Sequence, residues 1–221
     1  MTPGIEYGVL TIIGRKGAGK TATAKWLINR WHNDGWPIVS NITIKDFKAT
    51  KMELDELPAA YPDIYDSIIV MDECHIQNGK FRFFEEAVRK VDDFASQIRK
   101  RHCIFVMITQ RMDKLSRNLR LETDYVLQVE SPDFSTFTPQ DYEQYRIPPA
   151  DRGKSIPGIV LLTVIDNVAL GDDDAIVNQF YVDVRPIFGT YDTDEIITAS
   201  GTYSRTADPK TPAKKKPTPK K

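Results

Sequence analysis

The chain has 221 residues, 41% hydrophobic and 28% charged, which suits a soluble globular protein with one sizeable α/β domain plus appendages. It contains no apolar run of 18 residues, and Met1-Thr2-Pro3-Gly4 has no basic or apolar leader, so neither a transmembrane helix nor a secretory signal is expected. The formal net charge of −1 is uneven: residues 207–221 carry six Lys and one Asp, which leaves −6 on the rest.

Taken in order, residues 6–13 read as a strand whose Val, Leu and Ile run suits burial on both faces of a parallel sheet. Residues 14–19 form a glycine-rich loop, and residues 20–33 read as a helix with Ala24, Leu27, Ile28 and Trp31 on one stripe. Trp26, Trp31 and Trp36 are expected to pack against the sheet. Residues 37–44 read as a second strand. Residues 45–62 are polar, with room for a short helix around 51–57. Residues 67–71 form an apolar strand that ends in Asp72-Glu73. The strongest helical pattern spans 83–101, with Phe84, Ala87, Val88, Val91, Ala95 and Ile98 on one face. Two further buried strands follow at 103–109 and 124–130. Residues 132–157, with five prolines, read as a long surface excursion. Residues 158–166 and 178–187 read as a hairpin across the acidic turn Gly171-Asp172-Asp173-Asp174. Cys74 and Cys103 sit in apolar runs and are expected as buried free thiols. The organisation expected is a domain over 1–203 and a disordered Lys/Pro-rich basic tail over 204–221.

Two stretches carry chemistry. Gly14, Arg15, Lys16, Gly17, Ala18, Gly19, Lys20 and Thr21 spell the Walker A form G-x-x-x-x-G-K-[ST] between a strand and a helix. Such a loop turns its backbone N–H groups toward phosphate oxygens, and the helix N-terminus adds positive potential. Lys20 is expected at the β- and γ-phosphates of ATP, and the Thr21 hydroxyl on Mg²⁺. Asp72 is placed to hold the same Mg²⁺, and Glu73 to polarise a water for in-line attack. An adjacent Asp-Glu pair argues for hydrolysis rather than transfer of the phosphoryl group. Ile108-Thr109-Gln110-Arg111 closes the next strand, where a polar residue at the carboxyl end points into the ligand crevice. In the additional-strand class of P-loop ATPases this strand lies between those of Walker A and Walker B, which would bring Gln110 near the γ-phosphate.

These motifs, with the Arg101-His102 pair before the Gln110 strand, resemble those of the FtsK/HerA superfamily of DNA-pumping ATPases, and within it the packaging ATPases of membrane-containing icosahedral (archaeal) viruses. The segment Phe188-Gly189-Thr190-Tyr191-Asp192-Thr193 resembles the end of related mobile-element ATPases. The resemblance covers roughly residues 5–195. It implies a three-layer α/β, RecA-like P-loop fold with a mainly parallel sheet and a C-terminal β-hairpin. It also implies ATP hydrolysis with Mg²⁺ and a homo-oligomeric ring, commonly a hexamer, around double-stranded DNA. Arg101 matches the arginine that acts in a neighbouring subunit, with Arg99 and Arg89 as alternatives.

The function expected is an ATP-driven translocase that packages viral double-stranded DNA into a capsid. A capsid or membrane-vertex protein is a possible partner, in the cytoplasm of a host cell or with the virion. A Zot-like or conjugation-type assembly ATPase is the alternative, and a small-molecule kinase a further one. Asp72-Glu73-Cys74-His75 also spells a helicase DExH box, but no second lobe follows it, and His75 is expected to be structural. DNA contacts are expected from Lys80 and Arg82 in the loop after Glu73, with the Lys114, Arg117 and Arg120 face next. The basic tail is expected to raise affinity for DNA or a capsid partner.

Overall fold

The computed structural model describes residues 7–31, 35–54, 56–74, 85–167, 176–188, 190, 195–198 and 201–204. Strand β1 (Gly8–Ile13) leads through the glycine loop into helix α1 (Lys20–Trp31). Short strands β2 (Ile38–Ser40) and β3 (Ala49–Lys51) follow, then helix α2 (Leu57–Ala60). Strand β4 (Ile68–Met71), helix α3 (Glu85–Ser96) and strand β5 (Ile104–Ile108) come next. Helix α4 (Arg117–Glu122) leads into strand β6 (Tyr125–Glu130). Helix α5 (Pro139–Gln144) precedes strands β7 (Ile159–Asp166) and β8 (Ile176–Asp183). A separate antiparallel pair is formed by β9 (Glu195–Thr198) and β10 (Gly201–Ser204).

The main sheet has eight strands in the order β3-β2-β4-β5-β1-β6-β7-β8. The first six are parallel to one another, and β7 and β8 add on antiparallel. Strands β4 and β5 are apolar along their whole length and β1 nearly so, because both faces of the sheet centre are covered. On one face Leu10, Ile12, Val106, Ile108, Leu127, Val129 and Val160 pack under Ala24, Leu27 and Ile28 of α1. On the other, Val9, Ile69, Met71, Phe105 and Met107 meet Leu57 of α2, Val91, Phe94 and Ile98 around α3, and Leu119 of α4. The fold is therefore a three-layer α/β sandwich of the RecA-like P-loop kind. Trp26, Trp31 and Trp36 pack against the α1-side core, and Trp36 also stacks on Tyr7. Cys74 and Cys103 are buried free thiols, and burial pushes the Cys74 thiol up to about 12.

Three details differ from the sequence reading. The polar stretch after β2 supplies an edge strand, β3, and its helix falls at 57–60 rather than 51–57. The strong helix ends at Ser96, and Arg99–Arg101 make a 3-10 turn that His102 closes in a left-handed conformation, φ 54°. Residues 132–157 are not an open excursion. Phe134, Phe137, Tyr142 and Ile147 form a core of their own with Ile159. Thr138 and Asp141 make a reciprocal capping box at α5, and the Tyr142 hydroxyl joins the Phe134 carbonyl to the Gly153 N–H. The hairpin expected over 158–187 is present as β7 and β8. Its acidic turn at 171–174 and the tail lie outside the described residues.

Candidate active site

Every parallel strand ends at the same edge of the sheet, and the glycine loop stands there between β1 and α1. Gly14 has φ +156°, and a Cβ on it would lie 2.4 Å from the Val129 carbonyl oxygen, so only glycine lets the loop pass over the end of β6. The Arg15 carbonyl accepts from Ala18 N at 3.1 Å, which closes the loop. Lys20 Nζ donates to the same carbonyl at 3.1 Å. Burial lowers the Lys20 pKa, while Asp72 and then Glu73 act to raise it. The ammonium is thus aimed inside the loop and balanced by the two carboxylates.

Strand β4 presents those carboxylates one and two residues past its end. Thr21 Oγ1 donates to Asp72 Oδ2 at 2.6 Å, which ties the start of α1 to the end of β4. Asp72 is buried, and burial raises its pKa against the hydrogen bonds from Thr21 and the Glu73 N–H. A hard divalent cation suits this pair, since it would relieve the cost of a buried carboxylate next to a hydroxyl ligand. Glu73 has φ 50°, an uncommon conformation for a residue with a side chain, and its N–H donates to Asp72 Oδ1 at 2.6 Å. The turn separates the two side chains: Asp72 goes inward, whereas Glu73 remains half-buried.

The sequence reading missed Asn41. It is fully buried just after β2, donates through Nδ2 to the Asp72 carbonyl at 3.0 Å, and accepts through Oδ1 from the Asp72 N–H at 2.8 Å. Its only sequence signal is an Asn that follows a short strand, which is ordinary turn chemistry.

β5 lies between β4 and β1 and pairs with both. Gln110, two residues past its end, faces a cleft of about 750 Å³ lined by Gly14, Arg15, Lys16, Gly17, Ala18, Arg111, Met112, Gln128 and Glu130. The cleft thus opens on the shoulder of the phosphate loop and joins it to the ends of β5 and β6.

Arg101 is not brought to the loop of its own chain. It precedes β5, so the whole of that strand, about 16 Å long at ~3.3 Å per residue, lies between it and Gln110. At that far edge its Nη1 donates to the Ile64 carbonyl at 3.2 Å, and its guanidinium lies 4.5 Å from the Tyr65 ring centre. Arg99 sits at the same edge and pairs with Asp124. Lys80 and Arg82 lie outside the described residues. Among the described residues no helix is long and apolar enough to cross a membrane.

No curated protein matches the chain in sequence. Among solved structures it is similar to the N-terminal domain of zonular occludens toxin from Neisseria meningitidis, at 15% identity and TM-score 0.50 over 80% of this chain and 93% of that one. It is also similar to B204, the DNA-packaging ATPase of Sulfolobus turreted icosahedral virus, at 12% identity and TM-score 0.46 over 79% of this chain and 96% of that one. At these identities the first likeness concerns the fold alone. The family model named "ATPase family associated with various cellular activities (AAA)" matches residues 10–131, from the middle of β1 to just past β6. That span holds the phosphate loop, the two carboxylates and Gln110, and the chain belongs to this family of ATP-binding, ATP-hydrolysing enzymes.

Proposed function

We propose that the protein is an ATP-driven DNA translocase that works as a ring and packages viral double-stranded DNA. One observation supports the ATPase core of the reading: β5, which leads into Gln110, is inserted between the Walker A and Walker B strands. That order puts Gln110 beside the phosphate loop, where it senses the γ-phosphate. Its neighbour Arg111 can pass the signal on to whatever the enzyme moves. The resemblance of these motifs to the FtsK/HerA pumps supplies the cargo.

In this reading the loop N–H groups and Lys20 hold the triphosphate. Thr21 and Asp72 would hold Mg²⁺, which would supply positive charge to offset that of the phosphates. Glu73 takes the proton of the attacking water, and Gln110 orients that water. Arg101, at the opposite end of β5 from Gln110 in its own chain, serves the site of the next subunit across a ring interface. Lys80 and Arg82, which follow Glu73 in sequence, grip the phosphate backbone of DNA.

ATP binding and turnover test the site together. Glu73→Gln keeps ATP affinity within a few-fold and loses turnover, while Lys20→Ala weakens both because a charge-assisted phosphate contact is gone. Mixing Arg101→Ala with Glu73→Gln protein restores part of the activity at hybrid interfaces. Wild-type turnover in Glu73→Gln would remove Glu73 from its role. Full activity of Arg101→Ala alone would leave Arg99 or Arg89 as the trans group.

A further inference from the structure

We propose that Phe188 is the platform on which the base of the bound nucleotide stacks, a role that rests on the phosphate-loop reading above. The strand order fixes the direction in which a nucleotide must lie. Asp72, Glu73 and Gln110 stand beyond the ends of β4 and β5, on one side of β1. A γ-phosphate directed at them leaves the nucleoside to run toward the other side, over the ends of β6, β7 and β8. It also lies on the face that carries α1, since the loop delivers the phosphates to the N-terminus of that helix.

The chain crosses this place after β8. Asp183, the last residue of β8, pairs with Ile159 at the start of β7, so β8 ends at the same edge as the phosphate loop. The following 3-10 turn Arg185–Ile187 runs against α1, with Val184 and Ile187 buried in the α1-side core. The Thr190 carbonyl then accepts from Lys45 N at 2.9 Å, beyond the end of β2. The described part of this segment, residues 184–188, forms a strap against α1. Two contacts measure its reach from the loop. A Cβ on Gly19 would lie 3.0 Å from Val160 Cγ1 on β7. Just before that strand, two residues from Val160, a Cβ on Gly158 would meet Phe188 Cζ at 2.7 Å.

Phe188 is 49% exposed although it is a large apolar residue. The other large apolar residues exposed among the described ones are Tyr7, Tyr65, Leu121, Ile176 and Val177. Each of those lies toward the opposite edge, before a parallel strand or at the start of β8. Phe188 alone of this set stands at the nucleotide edge. The strap that carries it is held in place: Arg185 Nε and Nη2 donate to the two Asp183 carboxylate oxygens at 2.9 and 2.6 Å, and Nη2 also donates to the Tyr145 carbonyl. An exposed ring on a strap so anchored can offer a face to a base at reduced ordering cost.

Calorimetric titration with ADP and with inorganic tripolyphosphate tests this. Stacking on an aromatic ring contributes enough that Phe188→Ala should weaken ADP binding about tenfold. Phe188→Tyr should keep it, and tripolyphosphate, which has no base, should bind both variants as it binds wild type. Unchanged ADP affinity in Phe188→Ala overturns the proposal, as does an equal loss of ADP and tripolyphosphate. A wild-type protein that binds neither ligand would instead sink the phosphate-loop reading on which the proposal rests.

Discussion

Asn41 exchanges two hydrogen bonds with the main chain of Asp72, so removing its amide leaves a buried N–H and a buried C=O unpaired. Asn41→Ala should therefore cost about 1–3 kcal/mol in urea unfolding, the range for buried polar groups left without partners. It should also lower kcat more than it raises the KM for ATP, because the carboxylates shift while the loop stays. An unchanged kcat in a destabilised variant would reduce Asn41 to a purely structural role. The neighbouring Lys20, Thr21 and Asp72 were legible from sequence because their spacing is tied to phosphate chemistry. Asn41 was not, since its role depends on β2 being the neighbour of β4, which is set by sheet order. Lys25 was illegible for a similar reason. A lysine next to an apolar stripe reads as exposed, yet it is fully buried, with Nζ 3.5 Å from Asp46 and 3.7 Å from the Phe47 ring centre. Burial lowers its pKa, and Asp46 opposes that shift.

At the scale of elements, the strap after β8 is the piece that the sequence concealed most. Its residues carry no period, and Phe188-Gly189-Thr190 is distinctive only as a motif. The structure gives it a course over α1 and a fixed anchor at Asp183–Arg185. Burial tends to raise the Asp183 pKa, but the hydrogen bonds from Arg185 outweigh it and hold the carboxyl below its usual range. The stability from such a depressed carboxylate is present above the unfolded value, about 3.9, and is lost as pH falls through the lower folded value. The difference in thermal stability between wild type and Asp183→Asn should thus be constant from pH 7 to 5 and shrink below about pH 4. A difference that persists unchanged to pH 3 would show that the pair does not anchor the strap through charge. Strands β1, β4, β5 and β6, in contrast, were readable to within two residues, because burial on both faces favours apolar runs, whereas β2 was read too long and the exposed edge strand β3 was missed. The 132–157 segment was misread since its core is aromatic and local: Phe134, Phe137, Tyr142 and Ile147 close on one another over a short span, with no helix or strand period to expose them.

Over the whole molecule, the two edges of the sheet divide the labour. The carboxyl edge holds the phosphate loop, the carboxylates, Gln110 and Phe188. The amino edge presents Arg101, Tyr65, Arg99 and His102, with His102 Nδ1 3.4 Å from Asp66. In the proposed ring, the amino-edge arginine of one copy would complete the site of the next, and Gln110, Arg111 and the loop after Glu73 would pass each hydrolysis event to the DNA. Translocation along duplex DNA is the central claim, and the ATPase rate as a function of added nucleic acid tests it most directly. Linear duplex DNA should raise the wild-type rate several-fold. The Lys80→Ala, Arg82→Ala double variant should keep the basal rate and lose the rise. Stimulation of the double variant to the wild-type level would move the grip to Lys114, Arg117 and Arg120. A wild-type rate that responds to single-stranded DNA alone, or to no nucleic acid, would contradict the account and favour an assembly ATPase.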